Sequence, residues 1–231
     1  MVIFIPSRVS FEYKGDTFKN TEFNDEVFLK GGSAREALMA YMGGDLNPTV
    51  IPRDLDIWVP EWLRYEEGYW VTDDDFEWDW SPLNSCPVIK HWVREDSRYY
   101  ESDSCESPLE VARELLSLLT DINLNKVVIG KEGIYAHVDA IKGVVSKSIW
   151  RDSKEKPGKR AIRAHFMAVR YGYEVIDGTY LPNEHTYYGA VRGKAVELGI
   201  LDKWNSYLTA KGIDPEGSIL KGFDIELILV N

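Results

Sequence analysis

The sequence predicts an α+β fold, and three observations carry that reading. A short apolar strand at residues 27–29 runs into a glycine pair and then into a helix. Two further apolar strands, at 126–130 and 134–141, flank Lys131-Glu132-Gly133, the composition of a hairpin turn. Helices at 108–119 and 159–171 carry apolar residues at helical spacing.

The elements follow in order. Residues 3–13 read as a strand that turns at Lys14-Gly15-Asp16. Val27-Phe28-Leu29 forms a buried strand ending at Lys30-Gly31-Gly32. The following helix, 33–42, places Ala34, Leu38 and Tyr41 on one face, with Ser33 as its N-cap candidate, and Gly43-Gly44 ends it. Residues 45–53, with Pro48 and Pro52, are loop. In the strand 54–59, side chains alternate, so Asp54 and Asp56 share one face while Leu55 and Ile57 share the other. The helix at 108–119 follows a Ser107 cap and turns Val111, Leu115 and Leu118/Leu119 inward. Gly172 stops the helix at 159–171. A helix around 189–209 and an apolar strand at 225–230 complete the chain.

Composition bounds the function. Of 231 residues, 44% are hydrophobic and 28% charged, which suffices for a packed core of a soluble domain. No apolar run approaches the roughly 20 residues of a membrane span. The first ten residues read as a strand, not as a signal peptide. Cys86 and Cys105 form no CxxC pair and have no zinc-ligand spacing, which suits a reducing, cytoplasmic compartment. The net charge of −11 argues against a surface coated in basic residues for nucleic acid. That charge is uneven. Residues 60–110 hold fourteen acidic and four basic residues, whereas 147–170 hold eight basic and two acidic ones, a stretch suited to phosphate. Six of the eight tryptophans, counting Trp58, fall within 58–108 beside Asp73-Asp74-Asp75, Glu77 and Asp79. This insert reads best as a small packed subdomain, with a basic partner as the functional alternative.

Three features suit phosphoryl chemistry. A Gly31-Gly32-Ser33 turn between strand and helix lets backbone N–H groups approach phosphate oxygens, helped by the helix dipole. Two aspartates at i and i+2 on a strand can share a divalent ion, and magnesium prefers such oxygen ligands. Asp139, among apolar neighbours on what reads as a strand, is a third carboxylate candidate. On residue pattern alone, each of these is more often a plain turn or a solvated face.

Their order carries a resemblance. Leu29-Lys30-Gly31-Gly32-Ser33-Ala34-Arg35-Glu36-Ala37-Leu38, followed by Arg53-Asp54-Leu55-Asp56-Ile57, resembles the head of the tRNA nucleotidyltransferase (CCA-adding) and bacterial poly(A) polymerase family, within the DNA polymerase β-like superfamily. Asp121-Ile122-Asn123-Leu124-Asn125 is similar to that family's Arg-Asp-Phe-Thr-Ile-Asn segment. Val138-Asp139-Ala140-Ile141-Lys142-Gly143 is similar to its Ile-Asp-Pro-Phe-Gly-Gly segment. The helix from Arg160 to Tyr173 resembles its arginine-rich neck helix. The resemblance spans about 27–176.

It implies a nucleotidyltransferase-like mixed sheet with flanking helices over 1–150, interrupted by the insert at about 60–108, and a helical neck and C-terminal segment over 151–231. It implies an enzyme that moves a nucleoside monophosphate from an NTP to an acceptor hydroxyl. Asp54 and Asp56 would bind Mg2+ or Mn2+, with Asp139 as the weaker third ligand. Gly31, Gly32, Ser33 and Arg35 would hold the triphosphate, and Asp121, Asn125, Arg160 and Arg163 would surround ribose and base. The acceptor expected from the family is an RNA or tRNA 3′ end. A protein or small-molecule acceptor is the alternative, as is a non-catalytic protein whose acidic insert binds a basic partner. No membrane partner is expected.

Departures are specific. Lys156 and Pro157 stand where the family reads the base with Glu-Asp, and Thr120 replaces a basic residue. Base selection by that route is therefore lost. The loop between Gly32 and Asp54 is longer than usual. The sequence ends soon after the neck helix, so most of the family's tRNA-binding body and tail is expected to be missing.

Overall fold

A computed structural model describes residues 1–13, 15–23, 27–52, 56–58, 107–118, 122–151, 158–176 and 179–218. It divides into two compact units: 1–120 with 124–144, and 121–123 with 145–231. The division falls just after Val144, ahead of the expected boundary at 150.

The first unit is built on a five-stranded sheet. Its strands are β1 (Val2–Pro6), β4 (Phe28–Lys30), β6 (Asp56–Trp58), β7 (Val127–Gly130) and β8 (Gly133–His137), in the order β1-β8-β7-β4-β6. All its described pairings are antiparallel. A smaller sheet combines β2 (Ser10–Tyr13), β3 (Asp16–Lys19) and β5 (Thr49–Val50), with β2 antiparallel to β3 and parallel to β5. Helices α1 (Gly31–Met42), α2 (Pro108–Leu118) and α3 (Val138–Ser146) accompany the sheets, so the α+β class stands.

Alternation along the strands explains why they read as continuous apolar runs. Leu29, Val127, Ile129, Ile134 and Ala136 turn to one face and bury Ala34, Ala37 and Leu38 of α1. Phe28, Val128 and Tyr135 turn to the other and bury Val111, Ala112, Leu115 and Leu116 of α2. A sheet covered on both faces needs no polar side. Burial of one such side chain contributes about 1.5–3 kcal/mol. Ser107 caps α2 as expected, its Oγ accepting from the Glu110 N–H at 3.4 Å and donating to the Glu110 carboxylate at 3.1 Å.

Several expectations are corrected. The first strand breaks after Pro6, and Ser10 starts a different sheet. The loop at 45–53 contains β5. Helix α1 begins at Gly31 with Lys30 as its cap, which leaves Ser33 inside the first turn, not at the cap. The hairpin's second strand ends at His137, and residues 138–141 open α3. Gly133 allows β1 to close on this hairpin, because a Cβ there would lie 2.3 Å from the Ile5 carbonyl oxygen.

The second unit holds β9 (Ser148–Ile149), parallel to β10 (Glu174–Val175), and helices α4 (Lys159–Tyr171), α5 (Tyr187–Glu197) and α6 (Leu201–Ala210). The expected single helix at 189–209 is two, divided at Gly199 with φ 64°. Gly172 ends α4 in the left-handed conformation. Ile162, Phe166, Tyr188, Val191, Trp204 and Leu208 form one core. His165 lies inside α4's buried face. A carbonyl only accepts, so its Nε2–H donates to the Thr179 oxygen at 2.9 Å, and Nδ1 then accepts from the Tyr207 hydroxyl at 2.6 Å. The expected strand at 225–230 and nearly all of the insert at 60–108 lie outside the described residues.

Candidate functional site

The glycine turn sits where β4 meets α1. Lys30 is extended, at φ −127°, and Gly31 follows at φ 75°, a conformation that only glycine adopts without strain. The chain thus reverses from strand to helix within one residue. The first N–H groups of a helix have no partner inside it, and the Lys30 side chain makes no capping hydrogen bond. A Cβ built on Gly32 would meet only Arg35 Nη2, at 3.6 Å, an ordinary contact. Among the described residues, nothing in its immediate surroundings forbids a side chain at that position.

Strand register brings the acidic strand to this turn. Asp56 of β6 lies directly opposite Lys30 of β4, the residue before Gly31. Opposed residues in an antiparallel pair have Cα atoms about 4.5–5.5 Å apart. Asp54 lies outside the described residues, and for Asp56 the backbone register is the observation.

Behind the turn lies a buried polar pair. Arg35, on α1, is 5% exposed, and so is Asn125, which closes a 3-10 turn at Asn123–Asn125. Arg35 Nη1 donates to Asn125 Oδ1 at 2.6 Å. Ser33 is buried as well, at 4% exposure, whereas Gly31 and Gly32 are half-buried. The outward part of the turn is therefore glycine backbone, with Ser33, Arg35 and Asn125 packed inside.

Asp139 does not join the acidic strand. It opens α3 instead of lying on β8, and its carboxylate is held by Lys126 Nζ at 3.6 Å and His137 Nδ1 at 3.1 Å. From β8 to β6 is three strand steps, roughly 14 Å at ordinary spacing. Burial lowers the His137 pKa, more than the Asp139 carboxylate raises it.

The remaining candidates belong to the second unit. Arg160 is exposed and Arg163 half-buried on α4, and Asp121 lies outside the described residues. The buried face of α4 is broad, taking in Ala161, Ile162, Ala164, His165, Phe166, Met167 and Ala168. Also outside the described residues are Thr120, Lys156 and Pro157.

Asn20 carries a role that sequence reading missed. Fully buried, it accepts from the Val9 N–H at 2.9 Å and donates to the carbonyls of Ser7, Gly130 and Lys131 at 3.0–3.2 Å. It joins the small sheet to the β7–β8 hairpin, a contact with no periodic signal in the chain.

No helix among the described residues is long and apolar enough to cross a membrane. Comparison with protein-family models, curated proteins and solved structures finds no match to this chain.

Proposed function

We propose that this protein is a metal-dependent nucleotidyltransferase, transferring a nucleoside monophosphate from an NTP to an acceptor hydroxyl. The observation that carries the reading is the register of β4 and β6, which sets Asp56 opposite the residue that leads into the Gly31-Gly32 turn. A carboxylate-bearing strand beside a glycine-lined helix start suits a metal-bound triphosphate.

In this reading the backbone N–H groups of Gly31 and Gly32 bind phosphate oxygens. Asp54 and Asp56 supply hard oxygen ligands, which suit Mg2+ or Mn2+ by donor chemistry. The ion, when bound, neutralises triphosphate charge. The chain's own contribution is orientation of the phosphates for in-line displacement, without a covalent intermediate. Asp139, whose carboxylate is engaged by Lys126 and His137, is the weaker third candidate. Arg160 and Arg163 remain candidates for the base and ribose on the strength of the resemblance alone.

The acceptor of first choice is an RNA 3′ end, with a protein or small molecule as the other outcome. The test is incubation with each α-labelled NTP, Mg2+ and either total RNA or cell lysate, beside Asp54→Ala/Asp56→Ala. Label entering RNA or protein from wild type and lost in the variant supports the reading. Labelling of RNA falls steeply with added salt, whereas labelling of protein changes little. No transfer from any NTP, with no NTP-induced rise in melting temperature, overturns it.

A further inference from the structure

Resting on that reading, we infer that Asn125 and Arg35 are positioning residues: the Asn125 amide oxygen anchors the Arg35 guanidinium against the Gly31-Gly32 turn, and so sets the direction of its backbone N–H groups toward phosphate. Three observations converge. The Arg35–Asn125 bond is short, at 2.6 Å, and its donor is cationic, which places it among the stronger hydrogen bonds. Both side chains are 5% exposed, so water competes little for either. The guanidinium's other terminal nitrogen, Nη2, lies 3.6 Å from the position of a Cβ on Gly32. One planar group thus reaches Asn125 with one nitrogen and lies on the Cβ side of Gly32 with the other.

The geometry differs from a direct nucleotide contact. A side chain that reads ribose or base must present its polar atoms to the ligand. Asn125 instead directs its oxygen to a buried protein cation, immediately before Lys126 and the central strand β7. The arginine is the bridge between the first turn of α1 and a segment ninety positions later in the chain. Moving a buried charge held this way breaks a charge-assisted hydrogen bond in a place that water reaches little. A turn whose shape depends on a left-handed glycine gains a fixed backing. The pair acts on the ligand only through the turn.

The test uses the full-length chain and two substitutions. Asn125→Ala removes the acceptor; Asn125→Asp keeps an oxygen in the same place. Backbone order parameters of the Gly31 and Gly32 amides, from 15N relaxation, report the turn directly. Calorimetric titration with each NTP and Mg2+ reports its use. In wild type the two amides are expected to be rigid, near 0.85, and in Asn125→Ala to fall below about 0.6. The NTP dissociation constant is expected to rise roughly tenfold in Asn125→Ala, with both readouts returning to wild-type values in Asn125→Asp. Arg35→Lys keeps the charge without the planar fork, and loosens the turn in the same way, which covers a failure of Asn125→Ala to fold.

Unchanged order parameters in the variants overturn the inference. So does a loss of NTP affinity with a turn as rigid as before, since that outcome makes Asn125 a direct ligand contact. If the turn loosens as expected while wild type binds no NTP, the positioning role stands and the nucleotidyltransferase reading fails.

Discussion

At the scale of single residues, the two glycines of the turn make opposite demands. Gly31 is required by the backbone, since φ 75° costs a side-chain-bearing residue about 1–2 kcal/mol. Gly31→Ala is expected to lower unfolding stability by that amount in urea titration. The backbone of Gly32 needs no such freedom, and a Cβ there would meet Arg35 only at ordinary contact distance. Gly32→Ala is expected to leave the urea midpoint unchanged or slightly raised, because the added methyl group faces Arg35 at ordinary contact distance. Loss of stability in Gly32→Ala would make this glycine a structural requirement instead. Asn20→Ala leaves the buried Val9 N–H without this acceptor and removes three contacts to carbonyls. An expected cost of about 3 kcal/mol follows, measured by the same titration. The glycines were visible in the sequence because their geometry is local. Asn20 was not, because its partners come from two distant segments.

At the scale of elements, the β8–α3 junction carries a pH dependence. Burial pulls the His137 pKa below 6.5, opposed by Asp139 and assisted by Lys126. The unfolded chain therefore binds more protons than the folded one between the two values. Stability is held above pH 6.5 and lost as pH falls through the lowered folded pKa. His137→Gln is expected to flatten the slope of stability against pH in that window, relative to wild type, by urea unfolding at stepped pH. An equal slope in both proteins would remove His137 as its source. The strand expected to run through Asp139 stops at His137, since pattern alone does not separate apolar strand from apolar helix. Val138, Ala140 and Ile141 suit both. In α4 the ends were legible, because Gly172 gives a local stop, while the true breadth of its buried face depended on what packs against it.

At the scale of the whole molecule, two separate cores divide the energetics. The second unit's core centres on Trp204, set edge-on to Phe166 at 5.5 Å and nearly parallel to Tyr207 at 6.0 Å. Trp204→Ala is expected to cost about 3–5 kcal/mol. Hydrogen exchange is then expected to speed up in α4, α5 and α6 while β7 and β8 keep their protection. Equal loss of protection in the five-stranded sheet would show one cooperative core in place of two.

The sequence by itself determined the α+β class, the strand–glycine–helix turn, the hairpin and the caps at Ser107 and Gly172. Each of these rests on interactions among residues a few positions apart, or on conformations that only glycine takes. Tertiary structure alone decided the pairing of Asp56 with Lys30, the place of Asp139 on α3 beyond the end of β8, and the use of Asn125 on Arg35. Those depend on strand order and on which side chains share a buried space. Neither is written in periodicity, because hydrophobic pattern states that a face is covered and leaves open what covers it.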